Sequence, residues 1–184
     1  MFRDLNLTYQ ISSDLEIIEF LKGVSVYDQY QVDGNFIRNN IDKYNFDECF
    51  YQEIELDYNK RWDDFYIERD LKEEEETYKA LIDPNKPYAF VHDDSLRGFS
   101  LEEKYITSGL SIFRPSTDYN VNIFSYLKII ENATEIHCMD SSFKHLIDSL
   151  STVKGKLFYH LYVRGLAKYS WTKSKLDWTP ILYR

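Results

Sequence analysis

The chain has 184 residues, enough for one domain with a hydrophobic core and a smaller lobe, but hardly for two full domains. Its net charge of -9 and pI near 4.9 argue against general nucleic-acid binding, which needs a basic surface to neutralise phosphates. No stretch approaches the roughly 20 apolar residues of a membrane span, and the first residues lack a signal peptide's apolar core. We therefore expect a cytoplasmic protein.

The charge is distributed unevenly along the chain. Residues 1–86 hold 10 Lys and Arg against 21 Asp and Glu, whereas residues 87–184 hold 12 against 10. From Ser141 onward there are eight basic residues and two acidic ones. This asymmetry fits either a small anionic ligand held by the C-terminal part or attraction between the two parts.

The acidic region 1–86 is predicted to be mainly helical. A short amphipathic helix is expected between Asp14 and Gly23, followed by a possible strand at 24–30. Apolar residues then recur at helical spacing from Phe36 to Tyr44. A long helix is expected from Trp62 to Ile82, with Glu73 to Glu76 on its solvent side.

Region 87–184 alternates apolar strands with helices. Pro84 and Pro87 cannot continue a helix and mark its expected start. The predicted strands are 88–92, 110–113, 135–139 and 157–163, and the predicted helices are 123–133 and 143–150. This pattern indicates an α/β fold, a Rossmann-like parallel sheet with helices on both faces. The tail from Tyr169 to Arg184 is expected to pack back across the boundary between the two regions.

Polar loops follow the first two predicted strands. In an open α/β sheet, ligands bind beyond the carboxyl ends of the strands. The loop after the first strand carries His92, Asp93, Asp94 and Arg97, and Arg97 could clamp a diphosphate with two hydrogen bonds. The alternative is a capped turn in which Arg97 pairs with an aspartate. Arg114 follows the next strand and is expected either at the same rim or in an ion pair.

A third loop, from Asp140 through Ser141 and Ser142, joins a predicted strand to a helix. The first N–H groups of a helix have no internal partner and suit a phosphate, and serine hydroxyls add donors. Ser and Asp are also ordinary helix N-caps. The turn is expected to be a phosphate site if Arg97 lies on the same sheet edge, and a helix cap otherwise.

Other kinds of site are not indicated by the sequence. His137, Cys138 and His145 lack the spacing of a closed zinc site, so no metal is expected. The chain contains no G-x-G-x-x-G, P-loop or G-x-S-x-G motif, which disfavours dinucleotide enzymes, NTPases and common hydrolases, and no cofactor is expected. Cys49 and Cys138 lie in unlike contexts and are expected to be reduced.

A family likeness covers about 80 residues. The segments Pro87 to Arg97, Ile123 to Ala133, Thr134 to Phe143 and His145 to Leu146 resemble the C-terminal half of GT-B glycosyltransferases, specifically heptosyltransferase-like and fucosyltransferase-like families. In those domains, an Arg-containing loop follows the first strand. A later strand ends in a Ser/Thr-rich turn whose helix start holds the donor's diphosphate.

The resemblance implies roles for residues of this chain. Arg97 would contact the donor phosphates, Ser141 and Ser142 would bind the diphosphate, and His92 would line the donor pocket. Arg114 and Asp140 are possible further donor contacts, and His92, Asp93 and Asp94 are the candidates for a catalytic base. The reaction would be metal-independent transfer from a nucleotide sugar to a carbohydrate acceptor hydroxyl. The 86 acidic residues look too few for the family's acceptor domain, so the chain would be a truncated or reduced enzyme.

Two other functions stay open at this point. The acidic lobe and the basic tail could make the chain a non-catalytic interaction module. Asp93 and Asp94 could instead serve a hydrolase of phosphate esters.

Overall fold

The computed structural model describes residues 34–40, 43–116, 122–163 and 172–182. The helix predicted before Gly23, the strand predicted at 24–30 and the first part of the tail lie outside these residues. Within the described ranges, none of the helices has the length and apolar character needed to cross a bilayer.

Helices come first in the described chain, and strands then alternate with helices. The helices that precede the sheet are α1 (Gly34–Asn40), α2 (Phe46–Glu53), α3 (Lys60–Asp63) and α4 (Leu71–Leu81). The strands are β1 (Tyr88–His92), β2 (Ser111–Phe113), β3 (Glu135–Cys138), β4 (Lys156–His160) and β5 (Thr179–Ile181). Helix α5 (Leu127–Asn132) lies between β2 and β3, and α6 (Ser142–Asp148) lies between β3 and β4.

The five strands form one parallel sheet in the order β2-β1-β3-β4-β5. This confirms the predicted Rossmann-like α/β class. From β1 the chain moves outward to β2, whereas β3, β4 and β5 extend the sheet in the opposite direction. The strand order therefore reverses between β1 and β3, and the carboxyl ends of these two strands form the topological switch point at which such sheets bind ligands.

Apolar side chains cover both faces of the sheet. On one face, Phe90 and Ile136 pack against residues of α5 and α6, including Leu127 and Ile147, in the larger buried cluster. On the other face, Ala89, Val91 and Met139 pack against Leu101 and neighbouring residues that come before β2. Burial on both faces explains why β1 is an almost continuous apolar run in the sequence, whereas β3 also carries the buried, hydrogen-bonded Glu135 and His137.

Part of the tail forms the edge strand β5. Trp178, just before this strand, is buried in the larger cluster and contacts the ring of Tyr159. Pro180 within β5 is tolerated because an edge strand has one side that makes no ladder hydrogen bonds. The tail also reaches the acidic region, since Lys173 pairs with Glu48.

The long helix predicted from Trp62 to Ile82 is wrong in its first half. Helix α3 ends at Asp63, and the next helix, α4, begins only at Leu71. The side chain of Asp70 accepts a hydrogen bond of 3.0 Å from the backbone N–H of Glu73, so Asp70 is the N-cap of a separate helix.

The prediction that all four glutamates of α4 face solvent is also wrong at Glu74, which is 2% exposed. Its carboxylate pairs with Arg69, whose guanidinium also contacts Glu131 of α5 at 2.6 Å. The shared arginine draws Glu74 against α5, because a buried carboxylate needs a charged partner.

Candidate functional site

A cavity of about 320 Å³ lies at the switch point, beyond the carboxyl ends of β1 and β3. Its walls come from the loops after β1, β2 and β3, the three loops that the sequence predicts as ligand-binding. The cavity is lined by Val91, His92, Asp93, Asp94, Ser95, Leu96, Arg97, Arg114, Pro115, Ser116, Ile123, Tyr126, Met139, Ser141, Ser142 and Phe143. Every predicted site residue except Asp140 is in this set.

His92, the last residue of β1, is linked to the turn after β3. Its Nδ1 lies 3.0 Å from Oγ of Ser141, and its ring centroid lies 4.5 Å from that of Phe143. The Ser141 hydroxyl donates to the carbonyl of Met139 at 3.3 Å. Because its single hydrogen is used there, we assign Ser141 as the acceptor and place a proton on Nδ1 of His92.

Ser141 is also the N-cap of α6. It has extended backbone angles, and its Oγ accepts from the N–H of Lys144 at 3.4 Å. Ser141 therefore caps α6, and because Arg97 lines the same cavity, the phosphate site that the sequence makes conditional on Arg97 stays open as well. Ser142, the first residue of the helix, is exposed at the cavity wall.

Arg97 lies on a closed loop after β1. A 3₁₀ turn at Ser95–Arg97 ends at Gly98, whose φ of 80° is left-handed and suits glycine. Asp94 and Phe99 exchange two backbone hydrogen bonds of 2.7 and 2.9 Å that close the loop. Nε and Nη2 of Arg97 both contact Oδ2 of Asp94. In the structure Arg97 therefore forms the Arg–Asp pair that was the alternative prediction from the sequence.

Arg114 reaches the same cavity from the loop after β2. It contacts Oε1 of Glu103 at 3.0 Å and lies 3.7 Å from Oδ2 of Asp93. The side chain of Asp93 is 8% exposed and also accepts from the N–H of Leu101 at 3.0 Å. Asp93 therefore holds both the backbone after the Arg97 loop and the Arg114 guanidinium, which is a structural position for a carboxylate.

Asp140 lies outside the cavity and contacts residues behind it. Its Oδ1 accepts from the Thr172 hydroxyl at 3.4 Å and lies 3.6 Å from Nε2 of His145. Nη2 of Arg61 lies 2.9 Å from Nδ1 of His145. A guanidinium can only donate, so Nδ1 accepts and the hydrogen of the neutral ring is on Nε2, toward Asp140. Burial, with the nearby charges of Lys144 and Arg61, lowers the pKa of His145 and favours this neutral form.

A buried ion pair lies within α6, the helix that follows the turn. Lys144 and Asp148 are both 0% exposed, and Nζ of Lys144 lies 3.4 Å from Oδ2 of Asp148. Burial lowers the pKa of Lys144. The other oxygen, Oδ1, accepts from the N–H groups of Lys175 and Leu176 and from Nε1 of Trp178 at 3.0–3.1 Å. The i, i+4 spacing of the pair is a usable sequence signal, but it does not reveal the burial.

The cavity floor is apolar, which the sequence reasoning missed. Phe143 and Tyr126 are both nearly buried, and their ring centroids are 6.0 Å apart. The Tyr126 hydroxyl accepts from the N–H of Ser116 at 3.1 Å, which fixes the loop after β2. The sequence places Phe143 at the start of a helix and at the end of a segment of the family resemblance, but does not predict that its ring lines the cavity.

A second buried polar group lies on the opposite face of the sheet from α6. His137 Nε2 lies 3.2 Å from Glu135, and His137 Nδ1 lies 2.9 Å from Nε2 of His160. The Glu135 carboxylate also accepts from the N–H and the hydroxyl of Thr107. Since Glu135 is an acceptor, the protons of both neutral rings are on Nε2, which leaves Nδ1 of His160 buried without a partner in the described structure.

Comparison with models of protein families, with curated proteins and with solved structures finds no match to this chain.

Proposed function

We propose that the chain binds a nucleoside diphosphate sugar at the switch-point cavity and acts as the donor-binding part of a glycosyltransferase. The observation that carries this proposal is the convergence of three loops on one cavity that holds Arg97, Arg114, Ser141 and Ser142. The two guanidinium groups and the exposed Ser142 hydroxyl are donors of the kind that a diphosphate needs, whereas the Ser141 hydroxyl already donates to Met139.

The apolar floor also supports a ligand larger than phosphate. Phe143, Tyr126 and Ile123 line the cavity together with the charged groups. Cavities of about 300 Å³ and above, mainly apolar with a few polar groups, are typical of small-molecule sites. A nucleotide sugar has both an anionic diphosphate and ring systems that can pack on such a floor.

His92 is the best placed candidate for a proton acceptor in sugar transfer to a carbohydrate hydroxyl. It lines the cavity, and the hydrogen bond to Ser141 fixes the orientation of its ring. Asp93 is less suited to this role, because its carboxylate is already held by the N–H of Leu101 and faces Arg114. Because the Asp93 carboxylate is held by these partners, a phosphate-ester hydrolase that uses Asp93 and Asp94 is also less well supported.

Titration calorimetry of the full chain against UDP, GDP, ADP and CMP compounds tests the proposal. We expect one of these ligands to bind and Arg97→Gln to weaken its binding, because the variant loses a charged donor. Lys86→Gln is a matched control: it removes the same charge from an exposed lysine that pairs with Asp83 outside the cavity. Absence of binding by the wild type at millimolar ligand would remove the proposal.

A further inference from the structure

Arg97 and Asp94 differ in how freely each side chain can move. The backbone of Asp94 is fixed by its two hydrogen bonds to Phe99, and its side chain is 14% exposed. The Arg97 side chain is 67% exposed, and Asp94 is the partner that holds it in the described structure. When the pair separates, Arg97 moves and Asp94 stays at the cavity wall.

The cavity contains as many carboxylates as guanidinium groups. Asp93 faces Arg114, and Asp94 faces Arg97, so the formal charge of these four side chains is zero. A phosphate that enters must compete with Asp94 for Arg97. If the phosphate wins, the Asp94 carboxylate loses its partner and lies beside a second anion, which is unfavourable.

A ligand can avoid this cost if it supplies a donor for Asp94 as well as an acceptor for Arg97. Orthophosphate has little to donate at neutral pH, and the donors of a bare nucleoside diphosphate lie on its ribose and base, not beyond its terminal phosphate. A sugar attached to the diphosphate brings hydroxyl groups next to the phosphate, and a hydroxyl donates well to a carboxylate.

We propose that Asp94 is an internal competitor that holds Arg97 until a ligand with a phosphate beside a hydroxyl-bearing sugar satisfies both side chains. Asp94 is then a specificity-determining residue that favours a nucleotide sugar over the free nucleotide. This inference rests on the proposed nucleotide-sugar function.

The test is calorimetry with UDP and UDP-glucose, and with GDP and GDP-mannose, on the wild type, Asp94→Asn and Asp94→Ala. Asp94→Asn removes the competing charge, so we expect the free nucleotide to bind about two- to fivefold more tightly, the range set by a partly exposed ion pair. Asp94→Ala also removes the hydroxyl acceptor, so the preference for the sugar nucleotide should disappear. Asp83→Asn, an exposed carboxylate outside the cavity, is the charge-matched control and should change neither affinity.

The inference and the proposed function fail in different ways. If the wild type binds a nucleotide but Asp94→Asn binds it equally or more weakly, Asp94 is not a competitor and the inference is overturned alone. If the wild type and both variants bind none of the UDP, GDP, ADP and CMP compounds of the full panel, the proposed function is removed and the inference with it. Circular dichroism of each variant checks that the loop change has not unfolded the chain.

Discussion

Oγ of Ser141 accepts from His92 at the end of β1 and from the N–H of Lys144 in α6, so one hydroxyl joins the neighbouring strand to the helix start. Replacing Ser141 by Ala removes both bonds. Loss of an N-cap alone costs about 0.5–2 kcal/mol. We expect the free energy of unfolding to fall by this amount or more, because the hydrogen bond from His92 is lost as well.

Urea denaturation measures this change. Ser142→Ala is the matched control, because Ser142 is exposed and is not the cap of α6. Equal loss of stability in the two variants would contradict the role given to Ser141.

Removal of the Asp148 carboxylate should be far more damaging than removal of an exposed one. Asp148→Ala leaves Lys144 buried without its ionic partner and leaves the N–H groups of the tail without their acceptor. Breaking a buried pair costs about 3–5 kcal/mol, so we expect a loss of this size in urea denaturation.

Asp63→Ala provides the comparison. Asp63 lies 3.8 Å from Lys175 in a pair whose members are both about half exposed or more, so its loss should cost at most about 1 kcal/mol. A loss of less than that for Asp148→Ala would show that the buried pair does not hold the tail.

Gly155 is needed because of a close backbone approach before β4. A Cβ at this position would lie 2.5 Å from the carbonyl oxygen of Ala133, and this backbone atom cannot move away easily. We expect Gly155→Ala to destabilise the chain by about 1–3 kcal/mol, the usual cost of overpacking. The melting temperature measures the effect, with Ser151→Ala at an exposed nearby position as control. Unchanged melting of Gly155→Ala would contradict the close approach.

Stability should fall in mild acid because of the buried histidines. Burial, together with the neighbouring His137, lowers the pKa of His160 from 6.5 to about 3. Burial also lowers the pKa of His137. As the pH falls below about 6.5, these histidines become protonated in the unfolded chain but stay neutral in the folded chain. The free energy of unfolding therefore decreases from there toward pH 3.

Urea denaturation at pH 7, 6 and 5 tests this direction. The slope is at most about 1.4 kcal/mol per pH unit for each histidine. His160→Gln removes one titrating group and keeps a donor for His137, so its stability should depend less on pH than that of the wild type. A stability that is constant from pH 7 to 5 would contradict the burial of neutral histidines.

The local sequence was sufficient to predict the strands at the centre of the sheet. β1 is buried on both faces and is an almost continuous apolar run, and β3 with Met139 is a shorter run in which Ile136, Cys138 and Met139 are apolar. Because parallel strands end at one edge, those runs also predicted which loops would meet. Strand β5 could not be predicted in this way: it has three residues, one of them Pro180, and its strand form depends on pairing with β4.

Side-chain direction was harder to predict than loop position. Asp140 precedes Ser141 and was expected in the same cavity, but its carboxylate is drawn to Thr172 and His145, which contact it from behind the turn. Glu74 was expected in solvent and is buried by Arg69 and Glu131. In both cases one partner is only five residues away, but the other, Thr172 or Glu131, is distant in sequence, and no local pattern indicates it.

The contact between Asp148 and Trp178 has a consequence for synthesis of the chain. These residues are 30 positions apart, so the donors to the Asp148 carboxylate leave the ribosome after Asp148 and after all the residues that line the cavity. Until residues 172–182 emerge, the edge of β4 is open to pairing with other chains, and the charge of Asp148 lacks its backbone partners. A truncation or tag within these residues would therefore reduce the yield of soluble protein, although the cavity residues themselves are all present.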